Sequence, residues 1–346
     1  MSNLMNIIVN FVLKAISPKM LCLYCLLAIS QWAFLSNGQN NPDIPFSPEL
    51  VATSLKETLA ALTSSYVYPE IALDVESEML NRLNYGAYKE ITTRSEFVTK
   101  ISSELRELTN DGHLSIYAAP DQRTEPTYVI EETIDRFKYN FGFESVRVLE
   151  GNIGYLKLNK FYEELDARSI ADSALMFLQH VDALVIDLRE NKGGSPDLVQ
   201  YLLSYFFEED ALLWSIVDRN LDIVFEARSV PEVALTSFRQ NYPVVIITTE
   251  DTASAAEMFA YTLKHAGKAE IIGQTTMGIA HLVGAGRINE FLNWRFSLSR
   301  PVNPTTQTSW ERVGVQPNIF ASDEELLEVA HARALEILDT ARNISQ

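Results

Sequence analysis

The residues best suited to chemistry lie in Thr248-Thr249-Glu250-Asp251-Thr252-Ala253-Ser254-Ala255-Ala256-Glu257-Met258-Phe259. The apolar, β-branched run before them, Val244-Val245-Ile246-Ile247, predicts a buried strand. Ala255, Met258, Phe259 and Leu263 then recur at helical spacing as far as His265, and Gly267 supplies a stop. Ser254 therefore falls where a loop turns into a helix. A serine there can aim its hydroxyl into a cleft, beside first-turn N–H groups that stabilise an anion. Those are the requirements of a serine nucleophile. The same place also suits a plain helix cap, from Ser254 or from Thr252.

A second stretch with chemical promise is Arg189-Glu190-Asn191-Lys192-Gly193-Gly194, a glycine turn between an apolar strand and a helix. Glycines let backbone N–H groups approach a ligand closely, so Gly193 or Gly194 could add an oxyanion donor; an ordinary strand-to-helix turn would read the same way. No Gly-Lys-Ser/Thr follows, which excludes a phosphate-binding P-loop. Of the five histidines, His180, His265 and His331 fall on or at the ends of predicted helices and read as surface or capping residues. His113 lies in a turn, Asp111-Gly112-His113, and His281 in a loop, Gly278-Ile279-Ala280-His281. Glu311 follows Trp310 in a third loop. No ligand spacing of a metal site is present, so neither a catalytic metal nor a cofactor is expected.

The elements that must hold these residues fall into two textures. Ser47-Pro48-Glu49 opens a helix striped by Val51, Leu55, Leu59 and Leu62. A second runs through Ile71, Val75, Met79 and Leu83, and a third starts at the capping box Thr93-x-x-Glu96 with Phe97, Ile101, Leu105 and Leu108. Residues 47–112 thus read as a three-helix N-terminal domain. From 113 to 346 strands alternate with helices: Ile153–Leu158, Ala183–Leu188, Leu213–Val217, Asp222–Ala227, Val244–Thr248, Ala269–Gly273 and Phe291–Leu298 read as strands. A last helix begins at the capping box Ser322-x-x-Glu325. That alternation argues an α/β domain around a core sheet.

Residues 1–38 are a different material, with no acid and two bases, Lys14 and Lys19, ahead of an apolar run from Met20 to Leu35. Small residues at Ser36 and Gly38 complete the pattern of an export signal cleaved before Gln39; an uncleaved anchor is the alternative, though the run is short for a full span. Residues 39–46 read as a linker. Both cysteines, Cys22 and Cys25, lie inside the signal, so the mature chain would have no disulfide and no thiolate catalyst. A net charge of −18 argues against nucleic acid or an anionic membrane as partner.

Four motifs, taken together and in order, carry a resemblance: Thr252-Ala-Ser254-Ala-Ala-Glu257, Asp187-Leu-Arg-Glu-Asn-Lys-Gly-Gly194, Gly273-Gln-Thr-Thr276 and Glu311-Arg-Val-Gly-Val-Gln-Pro-Asn-Ile319. They resemble the carboxyl-terminal-processing (tail-specific) serine peptidases over nearly the whole mature chain. Tyr66-Val-Tyr-Pro-Glu-Ile-Ala72, Leu108-Thr-Asn-Asp-Gly-His-Leu114 and Asn303-Pro-Thr-Thr-Gln-Thr-Ser-Trp-Glu311 are similar to the interphotoreceptor-retinoid-binding-protein-like branch. The resemblance implies a crotonase/ClpP-like spiral for the α/β domain and an exported enzyme that acts on polypeptides through Ser254. It implies oxyanion donors at Ala255 and at Gly193 or Gly194. Ile279 stands where the family's dyad lysine would be, so the resemblance points instead to a triad with His113 as base and Glu311 as its support. His281 is the rival base. A weakly catalytic carrier of hydrophobic ligands is the alternative that the branch's name brings, and a retained Ser, His and Glu argues against it. Glu190 and Asn318 depart from the family's Gly and Asp, and no segment between His113 and Ile153 has the pattern of a tail-reading PDZ domain.

Overall fold

The structure, a computed structural model, describes residues 43–119, 136–163, 165–236, 238 and 242–344. The segment read as an export signal and the first part of the linker lie outside the described residues. In chain order the first elements are α1 (Pro48–Ser65), α2 (Pro69–Asn84), α3 (Arg94–Thr109), β1 (Ser115–Ala118), β2 (Phe143–Leu149), β3 (Ile153–Leu158) and α4 (Leu165–Phe177). Next come β4 (Ala183–Asp187), α5 (Pro196–Leu203), β5 (Leu212–Asp218), β6 (Ile223–Arg228), β7 (Val244–Thr248) and α6 (Ala255–His265). The last are β8 (Glu270–Gly273), β9 (Leu282–Arg287), β10 (Leu292–Val302), β11 (Ile319–Phe320) and α7 (Leu326–Ile344). They divide into two units. One comprises the described residues of Met1–Gln122 with Asp218–Val224 and Leu282–Ser299; the other takes those of Arg123–Val217, Phe225–His281 and Arg300–Gln346.

In the first unit local sequence signals set the helix ends. Ser47 Oγ accepts the Leu50 N–H at 3.2 Å with Pro48 in the first turn, and Thr93 and Glu96 form the reciprocal capping box of α3. The predicted stripes become the core: Val51, Leu55, Leu59, Leu62, Val75, Met79, Phe97, Ile101 and Leu105 are buried together with Leu292 and Phe296. Each such side chain contributes about 1.5–3 kcal/mol on leaving water. Two more strands join the helices here, since β1 pairs antiparallel with β10 (Ser115↔Arg295) and so does β9 (Ala285↔Arg295). Of the stretch read as a linker, 43–46 are held against this unit: Pro45 bridges Thr93, the Phe46 N–H donates to Thr92 O, and Phe46 is buried against Phe97.

The second unit is built on a six-stranded sheet in the order β11-β8-β7-β4-β3-β2, parallel throughout except for the antiparallel pair β2–β3. Both faces are covered, so its central strands read as unbroken apolar runs instead of alternating ones. Tyr155, Val185, Val245, Ile247 and Ile272 meet Leu326, Ala330 and Ala334 of α7 on one face. Strand alternation turns Leu156, Leu184, Ile186 and Ile246, all buried, to the other. This is the mixed α/β architecture that the alternating texture predicts.

Candidate active site

Strands β4 and β7 are parallel neighbours, so the segments that follow them leave the sheet at the same end, where open α/β sheets bind ligands. The two segments are stitched together. Thr252 Oγ1 donates to Leu188 O at 2.9 Å, Thr249 Oγ1 donates to Arg189 O, and the Ala253 N–H donates to Asn191 O at 3.0 Å. Ser254 then turns the chain into α6 with φ 56° and ψ −117°, a conformation that L-residues avoid. Holding a serine there costs of order 1–3 kcal/mol. Its own N–H donates to Glu257 Oε2 at 2.8 Å.

The glycine turn beside it is anchored from three sides. Asp187, buried at the end of β4, accepts from the Tyr155 hydroxyl at 2.8 Å and takes the Arg189 guanidinium at 2.7 Å. The Asn191 side chain donates to Leu158 O at 2.8 Å and accepts the Gly193 N–H at 2.9 Å. Gly194 lies in a parallel bridge with Phe161, with Phe161 N–H donating to Gly193 O at 3.0 Å and Ser195 N–H to Phe161 O at 2.7 Å. A Cβ on Gly194 would sit 1.9 Å from Phe161 O, and one on Gly193 would sit 2.8 Å from Ser254 Cβ and 3.0 Å from Ala255 N. The glycine turn and the serine turn thus touch. Gly193's N–H is engaged by Asn191, whereas the N–H groups of Gly194 and Ala255 make no hydrogen bond to the described residues. Glu190, the charged departure in this turn, places its carboxylate 3.0 Å from Lys157 Nζ on β3. Asn318, the other departure, exchanges two hydrogen bonds with Ile271 and extends β8 outward to β11.

Among the described residues, each unit holds a histidine beside a carboxylate. In the first, Asn110 ends α3 in the left-handed region (φ 50°), which swings Asp111-Gly112-His113 into a tight turn. Asp111 is fully buried; its Oδ1 accepts the His113 N–H at 2.9 Å and lies 3.0 Å from His113 Nδ1. Its Oδ2 accepts from Ser297 Oγ at 2.7 Å and from the Tyr66 hydroxyl at 3.2 Å. A carboxylate only accepts, so Nδ1 carries the proton and Nε2 is the basic nitrogen. In the second unit His281 Nδ1 lies 3.6 Å from Glu311 Oε2. That oxygen accepts the Ala280 N–H at 2.7 Å and the His281 N–H at 3.3 Å. The nearby lysines are occupied elsewhere in the unit: Lys264 Nζ donates to Gln316 O, and Lys268 lies over the Phe207 ring. Asp111, Asn191 and Glu257 had no role in the sequence reading, yet the Asp-x-His and Ser-x-x-Glu spacings were there to be read.

The comparisons with known proteins match this architecture. The profile of Peptidase family S41 matches residues 152–321, and that of the N-terminal domain of this peptidase family in eukaryotic IRBP matches residues 46–138. The chain belongs to peptidase family S41. The stretch between the two matches, 139–151, is too short for a PDZ domain. The carboxy-terminal processing protease CtpB of Bacillus subtilis is 29% identical over 181 residues, 51% of this chain and 36% of that protein. The carboxyl-terminal-processing protease of a Picosynechococcus strain is 24% identical over 232 residues, 65% of this chain and 54% of that one. The chain therefore spans about a third to a half of these relatives' length. Among solved structures, the photosystem II D1 C-terminal processing protease (TM-score 0.51, 16% identity, 80% of this chain and 93% of that one) shares the fold. So does a lipoprotein from Streptococcus agalactiae (TM-score 0.55, 18% identity, 85% of this chain and 100% of that one).

Proposed function

We propose that the protein is an exported serine peptidase that cleaves peptide bonds through an acyl-enzyme on Ser254. The observation that carries this reading is the setting of the serine: a strained turn at the start of α6, against Gly193, with the Ala255 and Gly194 N–H groups unclaimed. Ser254 Oγ would add to the scissile carbonyl carbon while a histidine, assigned to His113 Nε2, takes its proton. The carbonyl π pair moves to oxygen, where the Ala255 and Gly194 N–H groups stabilise it. Collapse of that oxyanion expels the amine, which receives the proton from the histidine, and water then repeats the sequence to release the acyl group. Asp111 would hold the tautomer of His113, and Glu311 would be the second supporting carboxylate.

Polypeptides are the substrate class that the family supports. Export follows from the composition of residues 1–38, and among the described residues no helix is long and apolar enough to cross a membrane. The test is covalent labelling of the mature chain by a fluorophosphonate. Wild type should label, and Ser254→Ala should lose labelling by more than ~10⁴-fold while staying folded. Equal labelling of the two would remove Ser254 from the mechanism and leave the hydrophobic-ligand carrier as the better reading.

A further inference from the structure

We propose that Glu257 is a positioning residue for the nucleophile: its buried carboxylate holds Ser254 in the strained turn and ties that turn to residues 276–279. The catalytic part of this proposal rests on the reading of Ser254 as nucleophile. Glu257 occupies the third position of a Ser-x-x-Glu capping box, and its bond to the Ser254 N–H is the one such a box supplies. A cap needs no more than that. Glu96, the equivalent acid of α3, stays at the surface, and its partners are Thr92 and Thr93 immediately beside it. Glu257 is wholly buried and takes three further donors from some twenty residues along the chain: the Thr276 hydroxyl, the Gly278 N–H at 2.7 Å and the Ile279 N–H at 3.0 Å.

The bonds divide evenly. Oε1 accepts from Thr276 and Gly278, while Oε2 accepts from Ser254 and Ile279. Burial raises the carboxyl's pKa above the usual carboxylate range, against the pull of these four bonds. Four donors on two oxygens suit an acceptor-only group, and an amide at this place would turn its NH₂ towards at least one N–H donor, that of Gly278 or those of Ser254 and Ile279. The strap continues beyond Glu257, because the next two N–H groups, of Ala280 and His281, are taken by Glu311. Four consecutive backbone donors, 278–281, are thereby shared between two carboxylates, and one of those carboxylates also grips the serine's own N–H. The serine turn is left no separate freedom to relax towards an ordinary helix start.

Labelling kinetics and thermal melting test this on the full mature chain. Glu257→Gln should lower the limiting rate at which a fluorophosphonate phosphonylates Ser254, with loss of fluoride, by roughly 10²-fold, the scale of a misplacement near 1 Å, with little change in the reagent concentration for half-saturation. The second readout needs no activity. With Glu257 in place, Ser254→Gly should melt higher than Ser254→Ala, since glycine adopts this backbone freely. In the Glu257→Gln background that gap should close. Thr276→Val, which keeps the carboxylate but removes one of its donors and the acceptor of the Val315 N–H, should slow labelling in the same direction by less, while Thr276→Ser, which keeps both bonds, should match wild type; this pair decides the matter if Glu257→Gln does not fold. Wild-type labelling in Glu257→Gln, or a Gly–Ala gap that persists there, overturns the proposal. Should Ser254→Ala label like wild type, the nucleophile reading fails alone, because the melting comparison still reports on the clasp.

Discussion

The two histidine–carboxylate pairs are made from the same chemistry in different ways. His113 and Asp111 are two residues apart in one turn, and the carboxylate reaches both the backbone N–H and the ring of the same histidine. The other oxygen of Asp111 is fixed by Tyr66 and Ser297, so the pair has one geometry and the ring one tautomer. His281 and Glu311 come from separate loops; the oxygen nearest the ring is already shared by two backbone donors, and the ring contact is long at 3.6 Å. A carboxylate bonded to a ring orients the ring, whereas one bonded to successive N–H groups orients the loop. By that measure the first pair suits the base and support proposed above, while Glu311 in the second also holds the 280–281 backbone.

The sharpest way to break this contrast is to remove each ring in turn. His113→Ala should slow acylation of Ser254 by roughly 10³- to 10⁴-fold, and His281→Ala by less than about 10-fold. The reverse ranking in stopped-flow labelling would move the base to His281. A smaller effect tests the support. Asp111→Asn places an amide NH₂ where Nδ1–H must be received, favours the wrong tautomer, and should cost about 10²- to 10³-fold in the limiting rate with affinity little changed. Smallest of the three, Glu311→Gln should reduce the rate by about 10-fold through the loosened 280–281 backbone, visible as faster amide exchange at Ala280 and His281. A loss as large as that of Asp111→Asn would show that Glu311 supports the base directly, as the family resemblance implies.

What was legible in the sequence was whatever a local pattern states completely. The run Val244–Thr248 is a strand to the residue, and Thr93 with Glu96 gave the start of α3. Ser254 could be found because strand, polar turn and helix follow one another within a dozen residues. The strands that went unread carry masked signals. β9 contains two glycines, and Gly286 is a strand residue because the Trp294 ring fills the place of its side chain, a fact held on another strand. β2 is an edge strand with an exposed outer face, and β11 has two residues and exists through its pairing with β8. Which of the two glycines has its N–H engaged depends on where the Asn191 side chain points, which no spacing records. Glu257 had no legible role because three of its four partners are remote in sequence.

The bridge between Phe161 and Gly194 bears on how this chain can change in length. Gly194 is placed by pairing with the residues just past the end of β3, so its position is a matter of strand register more than of loop shape. Register has a parity: a slip of one residue reverses which way every group faces. One residue inserted or deleted between Leu158 and Phe161 would therefore turn the Gly194 N–H to the opposite side even if both loops at the sheet end kept their sequence. Length variation in this molecule should be most tightly restricted in a short stretch that contributes no side chain to the proposed chemistry.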